Sequence, residues 1–565
     1  MKKRERNYTL GEIAARLLKM AAPQKKLIIL STLVSIIGNI AQMGLMGCGA
    51  ALILFCAGHL EAGTWQLWGG LTLLSAILIG VMRFFEGYYS HVAAYKLLAD
   101  MRVRLYEALR RLAPACLVDR KKGDIISVAI ADLDTIENFF AHTIGPMFTV
   151  VLLPLISLCY AGSVHWLFAA TLFPIYLMIS VVIPLLAMKT GRSLGEDYRG
   201  KLGEIKNYIL ESVYGLKDIQ IFGVGDERMA SVEEQSQSIN RTAHAMTLHR
   251  QLVTAMPTFF IYLSRILIIL VAGYLALSGQ KELSGVIILS FVVSASFSST
   301  QSLISVVSSL LEAFASADRY FELEDALPAI AEDETPCPVE HIEDICFEDM
   351  SFSYGVEKDK TILKDVRLTL RHGDRLGIVG ESGAGKSTIL RLLLRFWDPT
   401  KGKITLDGTD LKRVKLKDLR SRIAMLEQQT FIYNDTVAAN IALGKPNASR
   451  EEIIEAARRA GIHSTISRLP DGYDTAMGEL GNRLSGGEKQ RVGIARIMLT
   501  DPDIIVMDEP TSSLDVFSEK LMLKTLDEQY ADKTLIIVSH RNSTLTGCDM
   551  IYRLNAGSLQ SVEVV

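Results

Sequence analysis

No two of the seven cysteines form a CxxC pair: Cys48, Cys56, Cys116, Cys159, Cys337, Cys346 and Cys548 are scattered and odd in number. That spacing offers no zinc ribbon and no dithiol couple. Reduced, buried thiols in a cytoplasm-facing protein are the plain expectation, with a redox or metal role as the alternative. An excess of positive charge is also missing. Sixty Lys and Arg stand against 63 Asp and Glu, for a formal net charge of -3, so electrostatics makes no case for nucleic acid as a partner. A cleavable signal peptide is not evident. MKKRER is basic, but YTLGEIAARLLKM after it is amphipathic, with Leu10, Ile13, Leu17 and Leu18 on roughly one face. This stretch is expected to be an interfacial helix on the inner membrane surface, with Lys and Arg toward lipid headgroups; an ordinary soluble helix is the alternative. No extra N-terminal peptidase or binding domain is expected before the first apolar span.

Hydrophobicity is abundant. Of 565 residues 49% are hydrophobic and 22% charged, and the mean hydropathy is +0.24. That mixture predicts a membrane half joined to a soluble half. Six apolar segments, 27–57, 66–90, 137–161, 166–188, 252–276 and 284–312, suffice to span a hydrocarbon core of about 30 Å. The sixth is rich in Ser and Thr, as expected of a helix lining a wet path and packing through small residues. Connections 58–65, 162–165 and 277–283 hold almost no Lys or Arg, whereas 96–122 and 189–250 are rich in them. The positive-inside rule then places both termini and the long connections in the cytoplasm. Helical patterning carries the spans well past the bilayer, to two turns that look like docking elements, DRKKGDII at 119–126 and YGLKDIQIFG at 214–223. The expected architecture is an α-helical six-span transmembrane domain over 1–320, an acidic, Pro-containing linker over 321–345, and an α/β domain with a largely parallel sheet over 346–565.

GESGAGKST, 380–388, fits GxxxxGK[ST] between the apolar strand RLGIVG and an apolar helix. Gly380, Gly383 and Gly385, with Glu381, Ser382 and Ala384 between them, let backbone N–H groups turn toward phosphates. Lys386 adds charge at the β- and γ-phosphates, Ser387 offers a hydroxyl to Mg²⁺, and Thr388 comes next. DIIVMDEP, 503–510, is the matching acidic strand end. Asp508 is expected to hold the Mg²⁺ shell and Glu509 to orient an attacking water. Together these motifs predict a P-loop ATPase using ATP and Mg²⁺.

LSGGEKQR, 484–491, resembles the signature of ATP-binding cassette (ABC) proteins, with Leu484, Ser485, Gly486, Gly487 and Glu488 opening a helix toward a γ-phosphate. The resemblance implies roles for other residues as well. Tyr354, in FSY, matches the aromatic that stacks on adenine. Gln428, in LEQQTF, matches the glutamine that senses Mg²⁺ at the membrane-domain interface. Asp515, in SSLD, matches the loop communicating across the dimer, and His540, in IIVSH, the switch histidine at the γ-phosphate. MGELG resembles the stretch that exporter-type cassettes place against docking helices. Leu426-Glu427 stands where the family more often has Val-Pro. Six spans and then one cassette resemble exporter-fold ABC half-transporters, in which two chains pair and each ATP lies between the P-loop of one and the signature of the other. The implied activity is ATP hydrolysis coupled to moving a small-molecule cargo across the cytoplasmic membrane.

RFFEGYYSH, 83–91, puts Arg83, Glu86 and His91 at the end of the second apolar run. With LAPA further on, it resembles CydC-type half-transporters, which pair with a different chain in thiol export and haem-linked cytochrome bd assembly. Gly87 stands where that family has a second arginine. At about 100° per residue Arg83 and His91 share a helix face. They are expected either to contact a carboxylate-bearing cargo or to anchor at the inner interface, with Glu86 pairing Arg83. Arg265, in IYLSRILII, is the other polar candidate for the cargo path. The favoured expectation is a CydC-like heterodimer. An importer of siderophores or other small molecules on the same fold, a homodimeric lipid or multidrug flippase, and a soluble ABC ATPase acting on nucleic acid are the alternatives.

Overall fold

The structure, a computed structural model, describes residues 8–115, 122–142, 144–278, 283–301, 303–354, 361–478, 481–511 and 516–562. It divides into two compact units, with the main break between Ala326 and Leu327.

The first unit is helical. Its elements are α1 (Leu10–Ala21), α2 (Lys25–Cys56), α3 (Trp65–Leu112), α4 (Leu133–His142), α5 (Ile144–Val164), α6 (Trp166–Leu177), α7 (Ile183–Tyr214), α8 (Leu216–Phe222), α9 (Gly225–Leu277), α10 (Leu283–Gln301) and α11 (Leu303–Glu324). Among the described residues five helical stretches are long and apolar enough to cross a membrane: Leu10–Cys56, Trp65–Leu112, Gly123–Val164, Trp166–Gly191 and Gly225–Leu277. The sixth expected span is a shorter apolar helix over Ser284–Phe297 among the described residues. The long helices do extend beyond a bilayer: the 48 residues of α3 rise about 72 Å, more than twice a hydrocarbon core of about 30 Å.

Thr9 starts α1 with a capping box. Its hydroxyl accepts from the Glu12 N–H, and the Glu12 carboxylate accepts from the Thr9 N–H at 2.7 Å. The stripe predicted from sequence is split. Ile13 and Leu17 are buried in one cluster with Tyr320 and Phe321, whereas Leu10 and Leu18 are 45% and 63% exposed. Arg16, expected among the headgroup-facing cations, lies 3.9 Å over the Phe321 ring and pairs with Glu324 and Asp325. The aromatic, acidic end of α11 supplies a partner for both the apolar and the charged groups of α1, and that partner is what the stripe alone does not reveal.

Small residues bring the helices of the first unit close together. A Cβ on Gly38 would lie 3.1 Å from Met82 Cβ, and one on Gly47 2.7 Å from Val292 Cγ2, so α2 lies tightly against α3 and α10. Ser296 of α10 is 1% exposed, within hydrogen-bond reach of Tyr176 and Ser157, and the Tyr176 ring stacks on Phe297 at 4.7 Å. This serine therefore packs inside the protein, as expected of a segment that packs through small residues.

Asp132, in a π-helical turn (Val128–Asp132), is 3% exposed and accepts from Arg319 Nε at 2.7 Å and Ser316 Oγ at 3.0 Å. Removing the guanidinium strands a buried charge. Arg319→Ala is expected to cost about 2 kcal/mol, reduced from the usual figure because Arg319 is partly exposed, and to lower the thermal unfolding midpoint. Adding Asp132→Asn should recover part of the loss; full stability in the single variant would show that the pair carries no weight.

The second unit contains two sheets. An antiparallel one runs β2-β1-β4-β5, with β1 Asp344–Phe352, β2 Leu363–Arg371, β4 Lys401–Leu406 and β5 Thr409–Asp410. The other runs β10-β9-β3-β8-β7-β6, from β3 (Arg375–Gly380), β6 (Ile423–Leu426), β7 (Ile504–Asp508), β8 (Thr534–Val538), β9 (Met550–Asn555) and β10 (Ser558–Val562). All but β10 are parallel. The apolar runs IIVM in β7 and TLIIV in β8 are buried throughout, as central parallel strands covered on both faces must be. Helices α12 (Lys386–Leu393), α13 (Gly486–Thr500) and α14 (Val516–Gln529) come after the P-loop, the signature and SSLD in sequence.

Candidate functional site

Strand order sets the site. In β3-β8-β7-β6 the carboxyl ends lie in one row, with Asp508 in register with Val538 and Met507 with Leu426. The P-loop leaves β3, His540 comes after β8, Asp508-Glu509 ends β7 and Gln428 comes after β6, so one sheet edge gathers four sequence-distant motifs, the usual place for a ligand in such sheets.

The side chains meet. Gln428 Nε2 donates to Glu509 Oε2 at 2.9 Å, and His540 Nε2 lies 3.1 Å from Glu509 Oε1. Lys386 Nζ donates to the carbonyls of Gly380 and Glu381 at 2.8 and 2.9 Å and lies 3.0 Å from His540 Nε2. A neutral imidazole nitrogen accepts from the ammonium or donates to the carboxylate, and one proton cannot satisfy both. Glu509 adopts a left-handed backbone, φ 48°, at a cost of roughly 1 kcal/mol for a non-glycine residue, while its N–H is held by the Val538 carbonyl at 2.9 Å. Burial lowers the Lys386 ammonium below an ordinary lysine, and the Glu509 and Asp508 carboxylates push it partly back.

Gly385, at φ 104°, opens α12; a Cβ there would meet Ile362 Cγ2 at 2.7 Å. A Cβ on Gly380 would lie 2.6 Å from the Leu554 carbonyl oxygen. The loop thus needs glycine for close approach as well as for its turn. Glu381, Ser382, Gly383, Ala384 and Ser387 complete the loop and the first turn of α12. Tyr354 reaches Thr388 Oγ1 at 3.2 Å, and its ring meets Phe352 and Trp397 edge-on at 4.8 and 5.2 Å. The Leu426-Glu427 departure is accommodated: Leu426 ends β6 buried, and Glu427 is exposed before Gln428.

Ser485 caps α13 in a reciprocal box with Glu488: Ser485 N–H donates to the Glu488 carboxylate at 2.8 Å. Leu484 is buried beside this turn, and Gly486 and Gly487 begin the helix. The structure links this helix to the site through Gln490, 1% exposed, whose Nε2 donates to the Gln428 carbonyl at 3.4 Å. Sequence reasoning missed Gln490 and Trp397; their places in LSGGEKQR and just after the P-loop helix were the available signals. Asp515, Glu479 and Leu480 lie outside the described residues, as do residues 119–121 of the first stretch expected to dock; the rest of that stretch lies in a helix over Lys122–Ser127. The second is α8, with Leu216, Ile221 and Phe222 exposed.

The charged membrane stretch is internally paired. Arg83 Nη1 donates to Glu86 Oε2 at 2.8 Å and Nη2 to Asn39 Oδ1 at 3.3 Å, and Ser35 Oγ donates to Glu86 Oε1 at 2.6 Å. His91 Nδ1 is 3.6 Å from Glu137 Oε1, with its ring 4.9 Å from that of His142. Arg265 Nε donates to Ser294 Oγ at 3.1 Å, and the guanidinium lies over the Tyr262 ring. Of the two expectations for Arg83, the ion pair with Glu86 is formed.

Comparison with known proteins points the same way. Residues 363–512 match the ABC transporter family and residues 27–300 the ABC transporter transmembrane region. The chain is 34% identical over 551 residues, 97% of its length and 99% of the relative's, to a "Probable ABC transporter ATP-binding/permease protein" of Haemophilus influenzae. It is 31% identical, over 86% of its length and 84% of the relative's, to the ATP-binding/permease protein YgaD of Bacillus subtilis, which is assigned provisionally by name to multidrug export. A solved bacterial Atm1-family ABC exporter with ATP bound superposes with a TM-score of 0.79 at 24% identity, covering 98% of this chain and 95% of that one, and shares its fold.

Proposed function

The chain belongs to the ABC transporter family, a multi-pass membrane protein that binds and hydrolyses ATP, and from that premise we propose that it is one half of a dimeric pump in the cytoplasmic membrane, exporting a small molecule. The observation that carries the reading is the convergence of Lys386, Gln428, Glu509 and His540 on one sheet edge. In this proposal Glu509 orients the attacking water, His540 and Lys386 hold the γ-phosphate, and Tyr354 meets adenine. Leu484, Ser485, Gly486, Gly487 and Glu488 serve the ATP of the second chain, and Asp515 relays between chains. Mg²⁺ would be held by Ser387, Gln428 and Asp508, an all-oxygen donor set that suits a hard cation, and would neutralise charge developing on the phosphates. Among the described residues no group of three or more His, Cys, Asp or Glu side chains is placed to hold a metal alone, which fits an ion that shares its shell with phosphate and water.

Both termini and the cassette are assigned to the cytoplasm on the distribution of Lys and Arg. The segments near 119–126 and 214–223 are assigned to docking, supported by the exposed apolar side chains of α8. Arg83, Glu86, His91 and Arg265 are assigned to the cargo path; Arg83 and His91 keep 48% and 37% of their side-chain surface while paired. RFFEGYYSH supports a CydC-like heterodimer moving a thiol or haem-related cargo. The relatives named for multidrug export support a second reading, a multidrug exporter.

The ATPase rate of the chain purified alone in lipid, with Glu509→Gln as the blank, separates the two dimer types. The heterodimer proposal expects background turnover from well-folded protein, and restoration by a second, different chain. Vigorous Glu509-dependent turnover by the lone chain would show a working homodimer and sink the CydC-like pairing.

A further inference from the structure

Glu519 is a carboxylate that the motifs do not account for. It lies on α14, is 4% exposed, and accepts three hydrogen bonds. Arg541 Nη1 donates to Oε2 at 2.7 Å, Ser543 Oγ to Oε1 at 2.7 Å and Thr544 Oγ1 to Oε1 at 3.0 Å. All three donors belong to the turn directly after His540. The same turn is tied to the other side of the site, because Thr544 Oγ1 is 3.0 Å from Thr511 Oγ1 and Thr511 stands two residues after Glu509. The Arg541 N–H in turn donates to Ser539 Oγ at 3.0 Å, closing the backbone around His540.

A buried carboxylate is an expensive way to hold a short helix. Ionic desolvation costs several kcal/mol unless partners compensate, and a neutral amide also accepts hydroxyl hydrogen bonds, more weakly but without that cost. The cost is met here: burial by itself would raise the Glu519 carboxyl, but the Ser543, Arg541 and Thr544 donors outweigh it and keep it below the ordinary range. The group is therefore charged near neutral pH, and every partner it gathers lies within four residues after His540.

We infer that Glu519 is a positioning residue for ATP hydrolysis, holding the turn that carries His540 in fixed relation to Glu509. This rests on the roles proposed above for those two residues. Glu519 sits on the helix after SSLD, so movement of that helix is transmitted to the His540 turn through Arg541, Ser543 and Thr544.

The test uses the full chain in lipid, in the dimer that shows Glu509-dependent turnover. Glu519→Gln, which keeps volume and one acceptor but removes the charge, is expected to lower kcat at least tenfold. KM for ATP should stay within about twofold, with the protein fully folded at the assay temperature. Arg541→Gln, which leaves the Glu519 carboxylate without its cation, should lower kcat likewise and also lower the thermal midpoint, and the double variant should be no slower than the slower single one, since groups acting as a unit are not additive. An unchanged kcat, a rise in KM without loss of kcat, a kcat loss fully restored by lowering the assay temperature, or a double variant slowed by the product of the two factors would each overturn the inference. Turnover that survives Glu509→Gln would instead sink the assignment beneath it, so the two failures are distinguishable.

Discussion

Glu509→Gln is expected to cut ATP turnover about 1,000-fold, equivalent to roughly 4 kcal/mol of barrier, while nucleotide affinity stays within a factor of about three. The geometry explains the split. Glu509 holds Gln428 Nε2 on one oxygen and faces His540 Nε2 with the other. An amide of the same shape keeps one acceptor and turns the other position into a donor, so it can no longer accept from both Gln428 Nε2 and His540 Nε2. The negative charge that would polarise a water is lost in any orientation. None of this touches the carbonyl cradle of Lys386 or the backbone of the P-loop, which is where binding energy should reside. The measurement is kcat by phosphate release beside equilibrium nucleotide binding on the same lipid sample. Retention of more than a tenth of the turnover would remove Glu509 from the chemistry.

Much of this site was legible in the sequence because its parts are constrained by backbone. Gly380 and Gly385 stand where a Cβ would collide with Leu554 and Ile362, and β7 and β8 need unbroken apolar runs to lie at the centre of a parallel sheet. What the sequence did not disclose depends on partners distant along the chain. Glu519 reads as one more charge on a helix until residues 541–544 fold back on it. Arg16 reads as a headgroup-facing cation until Phe321, Glu324 and Asp325 arrive from α11. The Arg83–Glu86 pair was visible at i,i+3 spacing. Asn39 and Ser35, which complete its hydrogen bonding from α2, were not, because nothing local sets the register between two apolar helices. Ser296 likewise owes its burial to Tyr176 and Ser157.

Lys386→Ala should give the opposite signature, losing affinity and turnover together. Lys386 is 5% exposed, and its ammonium holds two P-loop carbonyls as well as approaching His540. Removing it deletes a cation aimed at phosphate and leaves the Gly380 and Glu381 carbonyls without that donor, so the loop loses part of its preformed shape. ATP affinity is expected to fall about 10- to 100-fold, or roughly 1.4 to 2.8 kcal/mol, with turnover at the level of Glu509→Gln. Lys386→Arg should not rescue it, since a planar guanidinium does not fit the space of a compact ammonium among carbonyls. The same residue sets a pH signature. Burial shifts its deprotonation below that of an ordinary lysine, with Glu509 and Asp508 opposing the shift, and in the role proposed for Lys386 the charged form is the one that binds phosphate. Affinity should therefore weaken as pH rises, beginning below the pH at which a solvated lysine would lose its proton. That slope should vanish in Lys386→Ala, where no amine remains to titrate. An affinity that stays level through about pH 10, close to where a solvated lysine titrates, would show that the ammonium's charge contributes nothing to nucleotide binding, and would leave Lys386 only its role of bracing the loop.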